Sequence, residues 1–320
     1  MTFRVRWKST SARSVNTKEE ARVLSRQSSA AENSARKRGR QVVGLIGHPL
    51  RHSISPAFQQ AAFDYHGLPI RYELWETPPG ELRLVVDRLR EETSLGANVT
   101  VPYKERVIAL LDDTDARARL IGAVNTVAKR GGKLVGYNTD AEGFRRALDD
   151  EGFVLHRKRV CLVGAGGVAR AVAVALLDEG VASIVLVNRH PERAEALAAD
   201  LQRMIEPEKS VSLAVVHWGS PELDEIDLWV NATSVGMWHG PAANESPVPQ
   251  SAIRPRSLVF DLVYNPPTTR LLKEAQQVGA RTLNGLSMLV YQGAAAFELW
   301  TGKPAPLGLM FERARRALMG

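Results

Sequence analysis

Apolar and polar positions fall into short blocks of alternating period along the chain. From Arg159 it reads RVCLVGAGGVARAVAVALLDEGVASIVLVNRHPER, an apolar run, a glycine turn, a long Ala/Val-rich stretch and a second apolar run. That order predicts strand, turn, helix and strand. Upstream, VVGLIG (42–47) predicts a short buried strand at the start of a folded body that begins at Gln41. In AFQQAAFDYHG, Ala57, Phe58, Ala61, Ala62 and Tyr65 then recur at helical spacing. IRYELWET (70–77) alternates as a strand and ELRLVVDRLREE (81–92) shows one apolar face. GANVTV (96–101) reads as a strand running into a helix whose first residue is Pro102. Gly131-Gly132 separates IGAVNTV from KLVGYNTD as a hairpin, and AEGFRRALDDEG follows as a helix. Beyond the glycine turn, VSLAVV, DLWVNATSVGM, LVFDLVYNPPTT and ARTLNG predict strands, and LLKEAQQVG and LSMLVYQGAAAFELWTG predict helices. This alternation predicts an α/β fold.

The glycine turn carries the first chemical signal. Gly164-Ala165-Gly166-Gly167-Val168-Ala169 fits G-x-G-x-x-A between a strand and a helix. Gly164 permits the tight turn, Gly166 lets a pyrophosphate approach the backbone, and Ala169 lets the helix pack on the strand. The free N–H groups at the helix start then face the phosphates. An NAD site places an acid at the end of the next strand to hold the ribose 2′-OH. Here that position holds Asn188-Arg189, with Arg193 one turn on. Two guanidinium forks suit a 2′-phosphate, so NADP is expected over NAD.

Composition changes the picture in three respects. The chain has 320 residues, room for two ordinary domains. Its net charge of +7 comes from residues 1–40, where 11 Lys/Arg face Glu19, Glu20 and Glu32, leaving the remainder at −1. The near-neutral body shows no basic stripe interleaved with aromatics, so no nucleic-acid partner is expected. The Ser/Arg-rich extension fits a disordered tail, an organellar transit peptide or a mis-called start, and receives no function. No run of about 20 apolar residues occurs, so no membrane span is expected. The single Cys161 cannot form an internal disulfide, which fits a reducing cytoplasm.

Candidate site residues gather after the predicted strands. Ser55-Pro56 forms a sound N-cap and N1 pair, whereas Ser53 has no such structural reason. Together the two hydroxyls could bind a small carboxylate at a helix start. His48 and His52 have i,i+4 spacing, but Pro49 argues against a helix there and no third ligand is evident, so no metal site is expected. In a helix starting at Pro102, Lys104 would lie in the first turn, where the dipole disfavours its charge and tunes it towards proton transfer. Asp140 opens the helix after Asn138-Thr139 and reads equally well as an N-cap. Near Lys104 it would complete a proton-relay pair, which spacing alone does not establish. Asn125 and Asn138 are polar residues within strands, Asn231, Thr233, Ser234 and Gly236 follow a strand, and Asp261 and Tyr264 follow another. Such carboxyl-edge positions suit ligand binding in open α/β sheets.

In this order the motifs resemble the shikimate dehydrogenase family over about residues 41–318. His52-Ser53-Ile54-Ser55-Pro56 matches the family's HS-x-SP, and residues Asn98 to Lys104 match NVTxPxK. Gly122 to Thr126 match GAVNT, and Asn138-Thr139-Asp140 match NTD. The resemblance implies that Ser53 and Ser55 hold a substrate carboxylate, that Thr100, Asn125, Asp140, Tyr264 and Gln292 contact the substrate, and that Lys104 and Asp140 are catalytic. On the cofactor side it implies Gly164, Ala165, Gly166, Gly167, Val168, Asn188, Arg189, Arg193, Thr233, Ser234, Gly285 and Met288 around NADP. It further implies two α/β domains: a Rossmann-type NADP domain (142–287) inserted into a discontinuous substrate domain (41–141 with 288–320). The implied activity is NADPH-dependent reduction of 3-dehydroshikimate to shikimate in aromatic amino-acid biosynthesis, by a monomer or homodimer. The chain departs from the family at His190, where Thr is common, and in its basic extension. Two other readings stay open: a quinate/shikimate dehydrogenase that accepts NAD, and a catalytically idle shikimate-binding paralogue.

Overall fold

The computed structural model describes residues 41–205 and 211–319, so the basic extension over residues 1–40 lies outside the described residues. Two six-stranded sheets organise this chain. The first is built from β1 (Gln41–Gly47), β2 (Ile70–Glu76), β3 (Ser94–Val99), β4 (Asp113–Thr114), β5 (Thr126–Arg130) and β6 (Lys133–Tyr137), in the order β2-β1-β3-β5-β6-β4. β1 runs parallel to both its neighbours, because α1 (Ser55–Tyr65) and α2 (Leu82–Arg88) supply the crossovers. β5 and β6 form the predicted antiparallel hairpin around Gly131-Gly132. The continuous apolar run of β1 is buried, whereas edge strand β2 alternates between buried and exposed positions as its sequence does.

The second sheet contains β7 (Arg159–Val163), β8 (Ser183–Val187), β9 (Ser212–Val215), β10 (Leu228–Asn231), β11 (Leu258–Asp261) and β12 (Arg281–Asn284). Its order is β12-β11-β10-β7-β8-β9, every neighbour parallel. This is the doubly wound dinucleotide-binding arrangement, with the order reversing between β7 and β10. The remaining helices are α3 (Ala116–Ile121), α4 (Asp140–Asp150), α5 (Gly167–Asp178), α6 (Pro191–Met204), α7 (Arg270–Gln277), α8 (Leu286–Thr301) and α9 (Leu307–Met319). None among the described residues is long and apolar enough to cross a membrane.

Each sheet buries apolar residues on both faces, and α8 belongs to both bodies. Met288 and Tyr291 pack with Phe144, Leu162 and Phe260 of the second body, while Val290, Ala294, Phe297 and Trp300 pack with Phe58 and Phe63 of the first. α4 crosses α8 closely at Gly143, where a Cβ would lie 2.8 Å from Met288 O and 2.9 Å from Gln292 Cβ. That approach brings Gln292 to the first sheet.

Two elements differ from the sequence reading. α2 ends at Arg88 instead of running to Glu92, because Leu89 and Arg90 bond three residues back and the chain turns into β3. No helix starts at Pro102: residues 101–105 form turns, and only a 3₁₀ segment, Arg106–Leu110, follows. Here Val101 O accepts from His48 N and Lys104 O from Val124 N, so these carbonyls are spent on neighbouring segments rather than on a helical ladder.

Gly96 in β3 tests how tightly the first sheet is closed. Its φ is +153°, and a Cβ there would lie 2.1 Å from Val127 O and 2.7 Å from Trp300 Nε1, splitting the 3.0 Å bond that joins those two atoms. Gly96→Ala is expected to lower the unfolding free energy by about 1–3 kcal/mol in urea titrations. Gly308→Ala, which meets nothing within 4 Å, is expected to be neutral or slightly stabilising; equal stability of the two variants would contradict this packing.

Candidate active site

Between the carboxyl end of the first sheet and the start of α5 lies a cluster of buried polar side chains. β3 delivers Lys104 through the turn that follows it, the segment before β5 delivers Asn125, and the segment after β6 delivers Asn138, Thr139 and Asp140. Lys104 Nζ donates to Asp140 Oδ2 at 2.6 Å, with only 14% and 5% of the two side chains exposed. Asn125 Nδ2 donates to Asp140 Oδ1 at 2.9 Å, to Thr139 Oγ1 at 2.9 Å and towards Gln292 Oε1 at 3.2 Å. Asn138 locks the turn, since its Oδ1 accepts from Asp140 N and its Nδ2 donates to Ala123 O. Asn125 and Asn138 lie one residue outside β5 and β6 rather than within them, which frees their side chains to bond across the turn.

Two helix starts differ from the capping that the sequence suggests. Thr139, not Asp140, is the N-cap of α4; Asp140 is its first helical residue and spends its carboxylate on Lys104 and Asn125. Ser55 is likewise the first residue of α1, after an Ile54 cap, and makes no capping bond. Its hydroxyl instead points at the Tyr72 phenol, which donates to Asn98 Oδ1 at 2.7 Å. Burial pushes the Tyr72 phenol well above its ordinary pKa, so it is a fixed donor. Ser53 Oγ accepts from Ser55 N at 3.3 Å, and Ile54 N–H faces the Tyr264 hydroxyl, whose pKa burial also raises. Ser53, Ser55, Tyr72 and Tyr264 thus surround one corner. Thr100 is half-buried where β3 ends, against Gly47.

Tyr72, Asn98 and Thr139 join this network without having been singled out as site residues from the sequence. An Asn inside the apolar run SLGANV was the available signal; Tyr72 reads as an ordinary inward ring. His48 and His52 diverge: His48 Nδ1 lies 2.6 Å from Glu76 Oε1, whereas His52 stacks on His239. No group of three or more His, Cys, Asp or Glu among the described residues is arranged to hold a metal.

The second sheet faces the same cluster. Gly164 adopts φ +114°, a region that favours glycine, with Ala232 O 3.0 Å from where a Cβ would be. Gly166 faces open space and is the N-cap of α5, whose first N–H groups have no side-chain cap. That opening is the cradle a pyrophosphate requires. Ala165 and Val168 flank it half-buried, and at Gly167 a Cβ would meet Lys104 Cβ at 3.0 Å, so the glycine turn abuts the lysine. Across the point where the strand order reverses, Asn231 accepts from Thr233 N and Oγ1 through its Oδ1 and donates to Asp261 Oδ1 at 2.9 Å. Asp261 also accepts from Val263 N and Thr269 Oγ1, and Ser234 follows on this loop. Gly285 precedes α8 and donates to Val263 O, with Met288 buried on the first turn. At the tip of β8, Asn188 closes on His190 O, and Arg189 and Arg193 are exposed.

Residues 45–127 match the shikimate dehydrogenase substrate binding domain, residues 147–263 the shikimate/quinate 5-dehydrogenase family, and residues 285–315 the shikimate 5′-dehydrogenase C-terminal domain. A shikimate dehydrogenase (NADP(+)) from Moorella thermoacetica is 46% identical over 279 residues, 87% of this chain and 94% of that one. A shikimate 5-dehydrogenase from Thermus thermophilus, solved with NADP(H) and shikimate, has a TM-score of 0.77 at 40% identity, covering 87% of this chain and 100% of that one. A quinate dehydrogenase from Corynebacterium glutamicum in complex with NAD has the same TM-score, 0.77, at 33% identity over 85% and 98% of the two chains.

Asp261 generates a pH prediction. Burial raises its pKa from an ordinary 3.8 to about 6, against the lowering effect of its three hydrogen bonds. Between those values the folded state holds a proton that the unfolded state has released, so stability falls as pH rises from about 4 to about 6 and the penalty is complete above that. Two pH units correspond to on the order of 2–3 kcal/mol. Asp261→Asn is expected to abolish this slope in urea unfolding measured from pH 4 to 6.5; parallel curves for the two proteins would refute the assignment.

Proposed function

Because the chain belongs to the shikimate dehydrogenase family, we propose that it catalyses the reversible NADPH-dependent reduction of 3-dehydroshikimate to shikimate, in the biosynthesis of aromatic amino acids. The observation that carries this reading is the Lys104–Asp140 pair, 2.6 Å long and nearly buried, directly in front of the glycine turn. A pure binding protein has no use for a buried ammonium–carboxylate pair beside a cofactor cradle.

The proposed division of labour follows the polar corners. Ser53 and Ser55 bind the substrate carboxylate, and Thr100, Asn125, Tyr264 and Gln292 bind the ring oxygens, fixing the ring before reaction. NADPH, when bound, supplies the hydride. Gly164, Ala165, Gly166, Gly167 and Val168 hold its pyrophosphate, Asn188, Arg189 and Arg193 its 2′-phosphate, and Thr233, Ser234, Gly285 and Met288 the nicotinamide end. Lys104 Nζ donates a proton to the carbonyl oxygen as that oxygen becomes a hydroxyl, and Asp140 aims the ammonium and accepts from the new hydroxyl. In the reverse direction the same pair removes the proton.

The substrate domain spans 41–141 with 288–320, and the NADP domain 142–287. This division is supported by the two separate sheets. The enzyme acts in the cytoplasm as a monomer or homodimer; the free, buried Cys161 suits a reducing compartment. A preference for NADP over NAD is supported by Arg189 and Arg193, exposed at the β8 tip, and by Asn188 rather than an acid directly after the strand end.

Initial rates of shikimate oxidation with NADP are expected to exceed those with NAD, and those of quinate with either cofactor; the opposite order would move the chain to the quinate branch. Lys104→Ala is expected to lower kcat by about 10²–10⁴-fold while NADP binding, followed by fluorescence titration, is retained. An unchanged kcat would remove Lys104 from the chemistry.

A further inference from the structure

Three aromatic rings that the proposed reaction does not use stack beside the Ser53–Ser55 turn. His52 and His239 lie with centroids 4.3 Å apart and planes 11° apart, and Trp238 continues the stack on His239 at 5.0 Å and 8°. His52 belongs to the turn after β1. Trp238 and His239 belong to the loop after β10, which begins with Ala232 to Ser234. That loop is fixed from behind: Met237 N donates to Ser234 O, Trp238 N to Asn265 O beside Tyr264, and Gly240 N to Met237 O. His239 adopts φ +61°, a left-handed conformation uncommon for residues other than glycine, and this conformation presents its ring to His52. Trp238 nevertheless remains 56% exposed, so burial of the indole is not what holds the loop in place.

We propose that His52, His239 and Trp238 form a latch that holds the loop after β10 against the Ser53 turn, making His239 a positioning residue for the substrate carboxylate. The proposal rests on the assignment of Ser53 to that carboxylate. Offset and parallel ring contacts of this kind contribute modestly but directionally. They add to the bonds already within that turn, Ser53 N to Leu50 O and Ser55 N to Ser53 Oγ.

The latch also has a sense with respect to pH. Partial desolvation, then the charge of His239, then that of Arg51 all lower the pKa of His52 from its ordinary 6.5. The carboxylate of Glu76, on the adjoining strand end, is engaged by His48 Nδ1 and Leu50 N. A proton on His52 therefore meets the imidazole of His239 and the Arg51 guanidinium. The stack disfavours that proton, so it holds at neutral pH and weakens only once the pH falls below the lowered pKa of His52.

Steady-state kinetics of the full chain test this. His239→Ala is expected to raise KM for shikimate about 3- to 10-fold at pH 7.5, the span that one ring contact allows, with kcat and KM for NADP within about twofold of wild type. His239→Phe, which keeps a ring, is expected to restore KM at pH 7.5, and His52→Phe, which keeps a ring but removes the titrating imidazole, is expected to flatten its rise between pH 7.5 and 5.5. Unchanged KM in His239→Ala at every pH, or failure of His239→Phe to restore it, overturns the proposal. Tryptophan emission gives an independent reading: the wild-type-minus-Trp238→Phe signal is expected to titrate near the His52 pKa and to lose that titration in His52→Ala. Emission that titrates identically in both overturns the latch. Absence of shikimate turnover in wild type would instead defeat the substrate assignment, leaving the emission titration to decide the stack.

Discussion

The buried Asp140 carboxylate is the constraint around which the site is built. At 4% exposure it would be costly without compensation. Lys104 takes one oxygen and Asn125 the other, and the amino end of α4 adds a favourable dipole. Meeting those requirements forces three separate segments of the first sheet to converge. The turn after β3 must leave Lys104 pointing inward, which it does by giving the Lys104 carbonyl to Val124 rather than to a helix. The β5–β6 hairpin must return the chain so that Thr139 lies beside Asn125. Once the pair is closed, the polar corner beside it is fixed as well.

The second sheet takes its place from the same pair. Gly167, at the head of α5, has no side chain because Lys104 occupies that space. The glycine turn therefore abuts the lysine, and the point at which the strand order reverses lies between this turn and the loop that follows β10. α4 and α8 hold the two sheets in that relation. Their close crossing at Gly143 carries Gln292 across to Asn125 and lets one helix pack into both apolar bodies.

Periodicity and turn chemistry recovered most elements, among them every strand of the second sheet and the hairpin at Gly131-Gly132. Three of the misreadings share one cause. Ser55, Pro102 and Asp140 each satisfied a local rule for starting a helix, and in each case a partner distant in sequence claimed the group instead. The Ser55 hydroxyl lies beside the Tyr72 phenol, Val124 took the Lys104 carbonyl, and Lys104 with Asn125 took the Asp140 carboxylate. Local capping is worth about 1 kcal/mol, less than leaving a buried charge or phenol unpaired. Tyr72 was overlooked for the complementary reason, since an inward ring on an alternating strand carries no sign that its hydroxyl is needed.

By itself the sequence determined the order of strands and helices, the cradle at Gly164–Val168 and the pair of arginines beyond β8. These depend on residues within a few positions of one another, where steric rules act directly on the chain. Only the tertiary structure decided which polar groups meet. Lys104 and Asp140 are 36 residues apart, Asn125 and Gln292 are 167 apart, and Asn231 and Asp261 are 30 apart. Such pairs are selected by the free energy of burying a charge or an amide with its partner, and that selection exists only after the sheets have packed.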